Sequence, residues 1–215
     1  MKTEDLIADL AGRVTPVRPL PPPGRRAMEW LAVAVVFAAA GIWFFGARPD
    51  VLVRLTQPDY VWTAIVALTA STLAAVTTLV LAIPGAERTT LLGRTTVIVF
   101  VIWAVTMAWF VLAAGRGLPI ITDRHWPACF ARVVLISFVP AAVLFGMVRR
   151  AAPLRLGWSA GLAAAAAASM GALAVQLVCP IDDAGHAFLG HFFPAMAIIG
   201  LGVMVRRALV RKALA

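Results

Sequence analysis

Two cysteines, Cys129 and Cys179, are the residues best able to do chemistry in this chain of 215 residues, and each has other ligand types close by in sequence. His125 stands just before Cys129, and Asp182, Asp183, His186 and His191 follow Cys179. Thiolates helped by imidazole and carboxylate suit a soft metal ion. The same two thiols, brought together, suit a disulfide. Two unrelated buried cysteines are the third reading, because free cysteine packs as a small hydrophobe. All three stay open on spacing alone. Neither cysteine belongs to a Cys-x-x-Cys, so a thioredoxin-like catalyst is poorly supported. Only His191 lies clearly within an apolar run, which weakens a haem reading. Arg132, one helical turn after Cys129, either snorkels to an interface or lowers the pKa of a nearby thiol. Gln176, one turn before Cys179, is placed to hydrogen-bond across helices. Gly-x-Ser-x-Gly, Walker A and His-Glu-x-x-His motifs are absent. No acidic residue lies deep in an apolar run, which argues against a proton-coupled transporter.

The N-terminal segment is the second chemically distinct part. Thr3 is expected to cap a short helix, with Glu4 and Asp5 in its first turn suiting the helix dipole. Leu6, Ile7, Leu10 and Val14 then share one face. The stretch Pro16-Val17-Arg18-Pro19-Leu20-Pro21-Pro22-Pro23 should form a stiff polyproline II spacer. Residues 1–14 carry Lys2 and Arg13 against Glu4, Asp5 and Asp9, so a membrane-lying helix, which is normally basic, is disfavoured. A helix held off the bilayer with one apolar face reads as a docking peptide for a groove on a partner.

The elements that must position these residues follow from composition. The chain is 62% apolar and 13% charged with a mean hydropathy of +0.92. A soluble domain carries about 45–50% apolar and about 25% charged residues, so a polytopic membrane protein is what remains. Six runs reach the roughly 20 residues a spanning helix needs: Met28–Gly46, Val61–Ile83, Thr95–Ala114, Phe130–Val148, Leu156–Val178 and Ala187–Val205. They are continuously apolar rather than alternating, which favours helices over barrel strands. The expected fold is all-α, a six-helix transmembrane bundle with short loops. It divides into an N-terminal segment 1–27, a bundle 28–205 and a basic tail 206–215. Trp30, Trp43, Trp62, Trp109, Trp126 and Trp158 fall near span ends as an aromatic belt, and Trp103 is expected between helices. In the fifth run Gly157, Gly161, Ala165 and Ser169 form a small-residue stripe, expected to pack within one bundle and to offer a surface for sliding.

Charge sets the expected orientation. The N-terminal segment, the second and fourth loops and the tail hold 14 basic residues, whereas the other side holds only Arg48, Arg54, Arg116 and Arg124. Basic residues collect on the cytoplasmic side, so both termini are expected in the cytoplasm. Cys129 and Cys179 then emerge together at the opposite face, where disulfides persist.

Several blocks together resemble one family. They are Met1-Lys2-Thr3-Glu4-Asp5-Leu6-Ile7, Pro16-Val17-Arg18-Pro19-Leu20, Arg48-Pro49-Asp50, Ile83-Pro84-Gly85, Cys129, Arg149-Arg150-Ala151-Ala152-Pro153-Leu154-Arg155, and Gly171 through Cys179-Pro180 with His186 and His191 following. The chain resembles the NrsF-type membrane anti-sigma factors of proteobacteria over essentially its whole length. The resemblance implies six spans in the inner membrane and a cytoplasmic N-terminal segment that holds an extracytoplasmic-function sigma factor. It implies two cysteines linked to sensing heavy metal or oxidative stress. Carried onto this chain, the sensor is Cys129 and Cys179, and the partner-binding stretch runs from Lys2 to Leu20. The residues expected to bind the partner are Lys2, Thr3, Leu6, Ile7, Leu10, Val17, Arg18, Pro19 and Leu20. Metal ligation is expected from Cys129, Cys179, His186 and His191, holding a transient soft divalent ion rather than an obligatory cofactor. The partners implied are a sigma factor and the lipid bilayer, with no direct nucleic-acid contact and no enzymatic activity. A small metal or solute transporter and a membrane thiol oxidoreductase are the alternatives.

Overall fold

The computed structural model describes residues 2–13, 19–83, 85–86, 90–114, 124–151 and 156–201. Among these residues there is no strand. The helices are α1 (Thr3–Gly12), α2 (Pro23–Phe45), α3 (Val51–Arg54), α4 (Pro58–Leu81), α5 (Thr90–Ala113), α6 (Trp126–Arg150), α7 (Leu156–Gln176) and α8 (Ala184–Leu201). Six of them, α2 and α4 to α8, contain stretches long and apolar enough to cross a membrane. They match the six apolar runs, but all except α7 begin three to five residues earlier than the runs. Proline explains the early starts of α2, α4 and α6. Pro23 and Pro58 open α2 and α4, and Pro127 sits in the first turn of α6. A proline there sacrifices only a backbone N–H that has no intrahelical acceptor. Val14, Thr15, Pro16, Val17 and Arg18, the loop arginines Arg88, Arg116 and Arg155, and the basic tail lie outside the described residues.

α7 is the axis of the bundle. It packs mainly between α4 and α6, and 72% of its apolar window is buried, against 17% for α2 and α5. Alanine allows this, because its small side chain lets three backbones approach. Gly161, Ala165 and Ser169 of the small-residue stripe are buried inside the bundle. The tightest approach is at Gly171, where an added Cβ would lie 2.8 Å from the Val133 carbonyl oxygen. Hydrogen bonds replace water at the polar positions: the Ser71 hydroxyl donates to the Ala166 carbonyl at 2.8 Å. The Gln176 amide donates to the Tyr60 carbonyl and the Thr63 hydroxyl at 3.1 and 2.7 Å, the cross-helix role its sequence position suggested.

The outward face is apolar. Trp43, Val97, Val105, Trp109, Leu135 and Phe138 are all exposed, which is the surface a bilayer covers. Trp62 and Trp158 are exposed near helix ends like Trp43 and Trp109, as a belt requires, and Trp103 is buried between helices. Trp30 departs from the belt. It is completely buried, and its indole N–H donates to the Pro140 carbonyl at 2.9 Å, so it is an α2–α6 pin instead.

The two ends of the bundle are chemically different. At the end where α2 begins, the Arg26 guanidinium of α2 donates to the Met147 carbonyl of α6. At the other end, the segment after α2 meets the segment after α7, where Cys179 lies, next to the start of α6, where Cys129 lies. α1 itself buries none of its residues, and Leu6, Ile7 and Leu10 are exposed, as are Pro19 and Leu20. Its cap is not Thr3, which is already the first helical residue. Lys2 takes the cap position, and its backbone N–H donates to the Asp5 carboxylate at 3.2 Å.

Candidate functional site

Cys129 lies in the first turn of α6, and Cys179 lies just beyond the C-terminal end of α7. The antiparallel run of these two helices brings both thiols to one end. The Cys129 thiol donates to Cys179 Sγ at 3.5 Å, and both cysteines are free. They are buried, at 3% and 1% exposure, so their chemistry is shielded from bulk water.

α8 completes the site. Asp183 caps it by accepting from the His186 backbone N–H at 3.0 Å, which fixes the first turn. His186, buried, then shares a 3.1 Å hydrogen bond between its Nε2 and Cys179 Sγ. His191 lies five residues on. In an α-helix a five-residue step rotates a side chain by about 140°, which would aim the two rings apart. The stretch Phe188–Phe192 is π-helical instead, and the wider turn brings the rings edge to face with centroids 5.5 Å apart. π-turns recur at functional sites. His191 Nε2 is shut off from solvent and makes no hydrogen bond.

One ligand atom from each of Cys129, Cys179, His186 and His191 lies within 4.8 Å of all the others. A tetrahedral ion with bonds of about 2.0–2.3 Å needs donor separations of about 3.3–3.8 Å. The four donors therefore surround a volume slightly wider than a soft divalent ion requires. The buried, unpartnered His191 nitrogen and the two-sulfur, two-nitrogen donor set both fit such an ion. The residues also fit disulfide formation, because the sulfurs are already in contact.

Gly190 makes the closure possible and had no sequence signal beyond being a glycine in an apolar run. A Cβ there would sit 3.1 Å from Cys129 Cβ and 3.4 Å from His186 Nε2. Of the other residues near the cysteines in sequence, His125 is exposed and outside the cluster. Asp182 and Asp183 also stay outside it; Asp183 is the cap, and Asp182 pairs with Arg48 and Arg54. Arg132 stacks on the Phe45 ring with its guanidinium carbon 5.1 Å from the centroid, a cation–π contact between α6 and the end of α2.

Electrostatics and access separate the two thiols. The hydrogen bond from Cys129 holds the Cys179 thiol below the usual thiol range, with the His186 hydrogen bond adding to it and burial opposing it. Cys179 and His191 also line a cavity of about 260 Å³, whose other walls include Asp59, Tyr60, Trp103 and Asp183. Cys129 does not line it. Small uncharged alkylating reagents should therefore modify Cys179 before Cys129. Timed iodoacetamide labelling followed by peptide mass mapping checks this; equal rates would show that the cavity is not the route in.

Beside the site, Arg48 is buried and makes paired contacts to Asp50 at 2.7 and 3.0 Å and to Asp182 at 2.9 and 3.1 Å. The hydrogen bond from Arg48 holds the Asp50 carboxyl down at about 2. The sequence showed Arg48 as one charge on the poorer side and as part of the Arg48-Pro49-Asp50 block, with no sign of its tie to Asp182.

The comparisons with known proteins give one match. A family model described as NrsF, negative regulator of sigma F, matches residues 10–211. No curated protein and no solved structure matches.

Proposed function

The chain belongs to the NrsF family of negative regulators of sigma F, a family of regulators rather than enzymes, and from that premise we propose a membrane-bound anti-sigma factor with a built-in sensor. In the bacterial inner membrane, its N-terminal segment holds an extracytoplasmic-function sigma factor away from RNA polymerase. The cluster of Cys129, Cys179, His186 and His191 responds to heavy metal or oxidant, and the sigma factor is then released. Both termini are cytoplasmic and the cluster faces the other side, on the strength of the 14-to-four division of basic residues.

The observation that carries the holding role is the bareness of α1. A ten-residue helix with Leu6, Ile7 and Leu10 uncovered gains nothing from its own bundle. Exposed apolar anchors at helical spacing are what a partner's groove takes up. The family match begins at residue 10, so the assignment of Leu6 and Ile7 rests on this exposure and on spacing. Arg18 with Pro19 forms the fixed exit of this segment, and Val17 and Leu20 complete the partner-binding stretch.

The sensing role rests on the four converging donors. A soft divalent ion would be held by the two thiolates and two imidazoles, and it would supply attraction that draws α6, α8 and the segment after α7 together. An oxidant acts on fewer residues. It accepts two electrons, two protons leave the thiols, and one bond forms between the sulfurs. The 3.5 Å contact supports this second input.

Sigma capture tests the proposal. Membranes carrying the intact protein should retain a sigma factor from the native pool, and membranes carrying a chain that starts at residue 23 should retain none. A transporter that uses the same cysteines as an entry site would instead keep its flux after that truncation. Equal retention by the two forms would overturn the proposal.

A further inference from the structure

We propose that Arg48 is the link through which the state of the thiol–imidazole cluster reaches α2, and through α2 the sigma-holding segment. The inference rests on the sensory reading of the cluster given above and names the route by which it acts.

Arg48 is bonded on both sides of Cys179. Its backbone N–H donates to the Leu177 carbonyl at 3.0 Å, and its guanidinium donates to Asp182 at 2.9 Å. Any movement of the six-residue stretch from Leu177 to Asp182 is therefore passed to Arg48. Only two residues, Gly46 and Ala47, separate Arg48 from the end of α2 at Phe45, and Gly46 makes the turn at φ +82°, a conformation that favours glycine. The other thiol has its own tie. Arg132, one turn from Cys129, stacks on Phe45. Both cysteines are thus tied to the same end of α2.

Among α2, α6, α7 and α8, the helices joined at this end, α2 is the least enclosed. Its apolar window is 17% buried, whereas α7 is enclosed on nearly every side. α2 is packed tightly on α6 at Gly41, where an added Cβ would be 2.8 Å from Ile136, and we take this contact as the pivot. With a rise of 1.5 Å per residue, the arm from Gly41 to Gly46 is about 7 Å and the arm from Gly41 to Ala27 about 21 Å. Tightening the cluster around an ion shortens its widest donor separation, up to 4.8 Å, by about 1 Å. A shift of that size at the short arm becomes about 3 Å at the long one. That is enough to part the Trp30 indole from the Pro140 carbonyl and Arg26 from the Met147 carbonyl, the two bonds that hold the far end of α2. Packed helices switch between discrete arrangements of this kind rather than deforming smoothly.

The test uses the full chain in lipid nanodiscs, as the complex with its sigma factor, with cadmium chloride as the probe. Cadmium–thiolate charge-transfer absorbance reads binding, and sigma factor left on the nanodisc reads release. Arg48→Met and Asp182→Ala should bind cadmium with wild-type stoichiometry and hold the sigma factor in its absence. Both should need at least tenfold more cadmium to release it, or fail to release it. Asp182→Ala alters a carboxylate 38% exposed, so it keeps the test open if the buried Arg48 variant does not fold. Release at the wild-type cadmium concentration overturns the role of Arg48. If the wild-type protein itself binds no cadmium, or binds it without releasing the sigma factor, the sensory reading fails instead, and the link fails with it.

Discussion

Cys129→Ala and Cys179→Ala should each lower affinity for a soft divalent metal by more than about 100-fold and abolish metal-induced release, while leaving sigma-factor retention intact. The magnitude follows from the donor set. Four-ligand zinc sites bind with about 10–16 kcal/mol in total, so one ligand of four accounts for about 3 kcal/mol, or a factor of more than 100. Thiolate is the stronger donor type for a soft ion, so the cysteine losses should exceed the histidine losses. His186→Ala and His191→Ala separate the two inputs. Each should weaken the metal response and leave the oxidant response standing, because the 3.5 Å sulfur contact involves neither imidazole. Titration of the purified protein with metal, beside a sigma-release assay under metal and under peroxide, reads all four variants. A wild-type response from either cysteine variant would place the sensor elsewhere.

Leu6→Asp combined with Leu10→Asp should release the sigma factor without any signal. Truncating one large apolar anchor at an interface commonly costs about 2 kcal/mol or more, a factor of about 30 in affinity. Two buried carboxylates add a desolvation cost, so the loss should exceed that factor. The bundle should not notice. α1 buries none of its residues, and none of them belongs to the core or the cluster. Thermal unfolding in detergent should match wild type, while co-purification of the sigma factor should fall to background. Retention of the partner by the double variant would mean that α1 is not the docking element.

Much of the architecture was legible in sequence because hydrocarbon imposes a simple rule. Each crossing needs about 20 apolar residues with its backbone satisfied internally, and all six apolar runs appear as helices. Span counting alone brought Cys129 and Cys179 to one end, since one begins a span and the other follows the next. Helical spacing likewise marked the apolar face of α1. The tryptophans show where this reasoning weakens. Trp43 and Trp109 lie outward as belt residues do, but Trp30, equally close to a span end, turns inward to meet Pro140. Position along a span does not say which way a helix faces, and that is decided by its neighbours.

By itself, then, the sequence determined the helix count, the depth of each residue along its helix, and the family. It also placed Cys179 close to His186 and His191 in the chain. Whether those four residues meet depended on a π-turn that narrows the angle expected for a five-residue step, and on Gly190 admitting α8 against Cys129. The Arg48 tie joins residues 134 positions apart, and neither the charge count nor the Arg48-Pro49-Asp50 block pointed to Asp182. Hydropathy is a property of single segments, and it is read one helix at a time. Contacts between helices depend on the rotation of each about its axis and on its tilt, which are set by the shapes of all the surrounding side chains together.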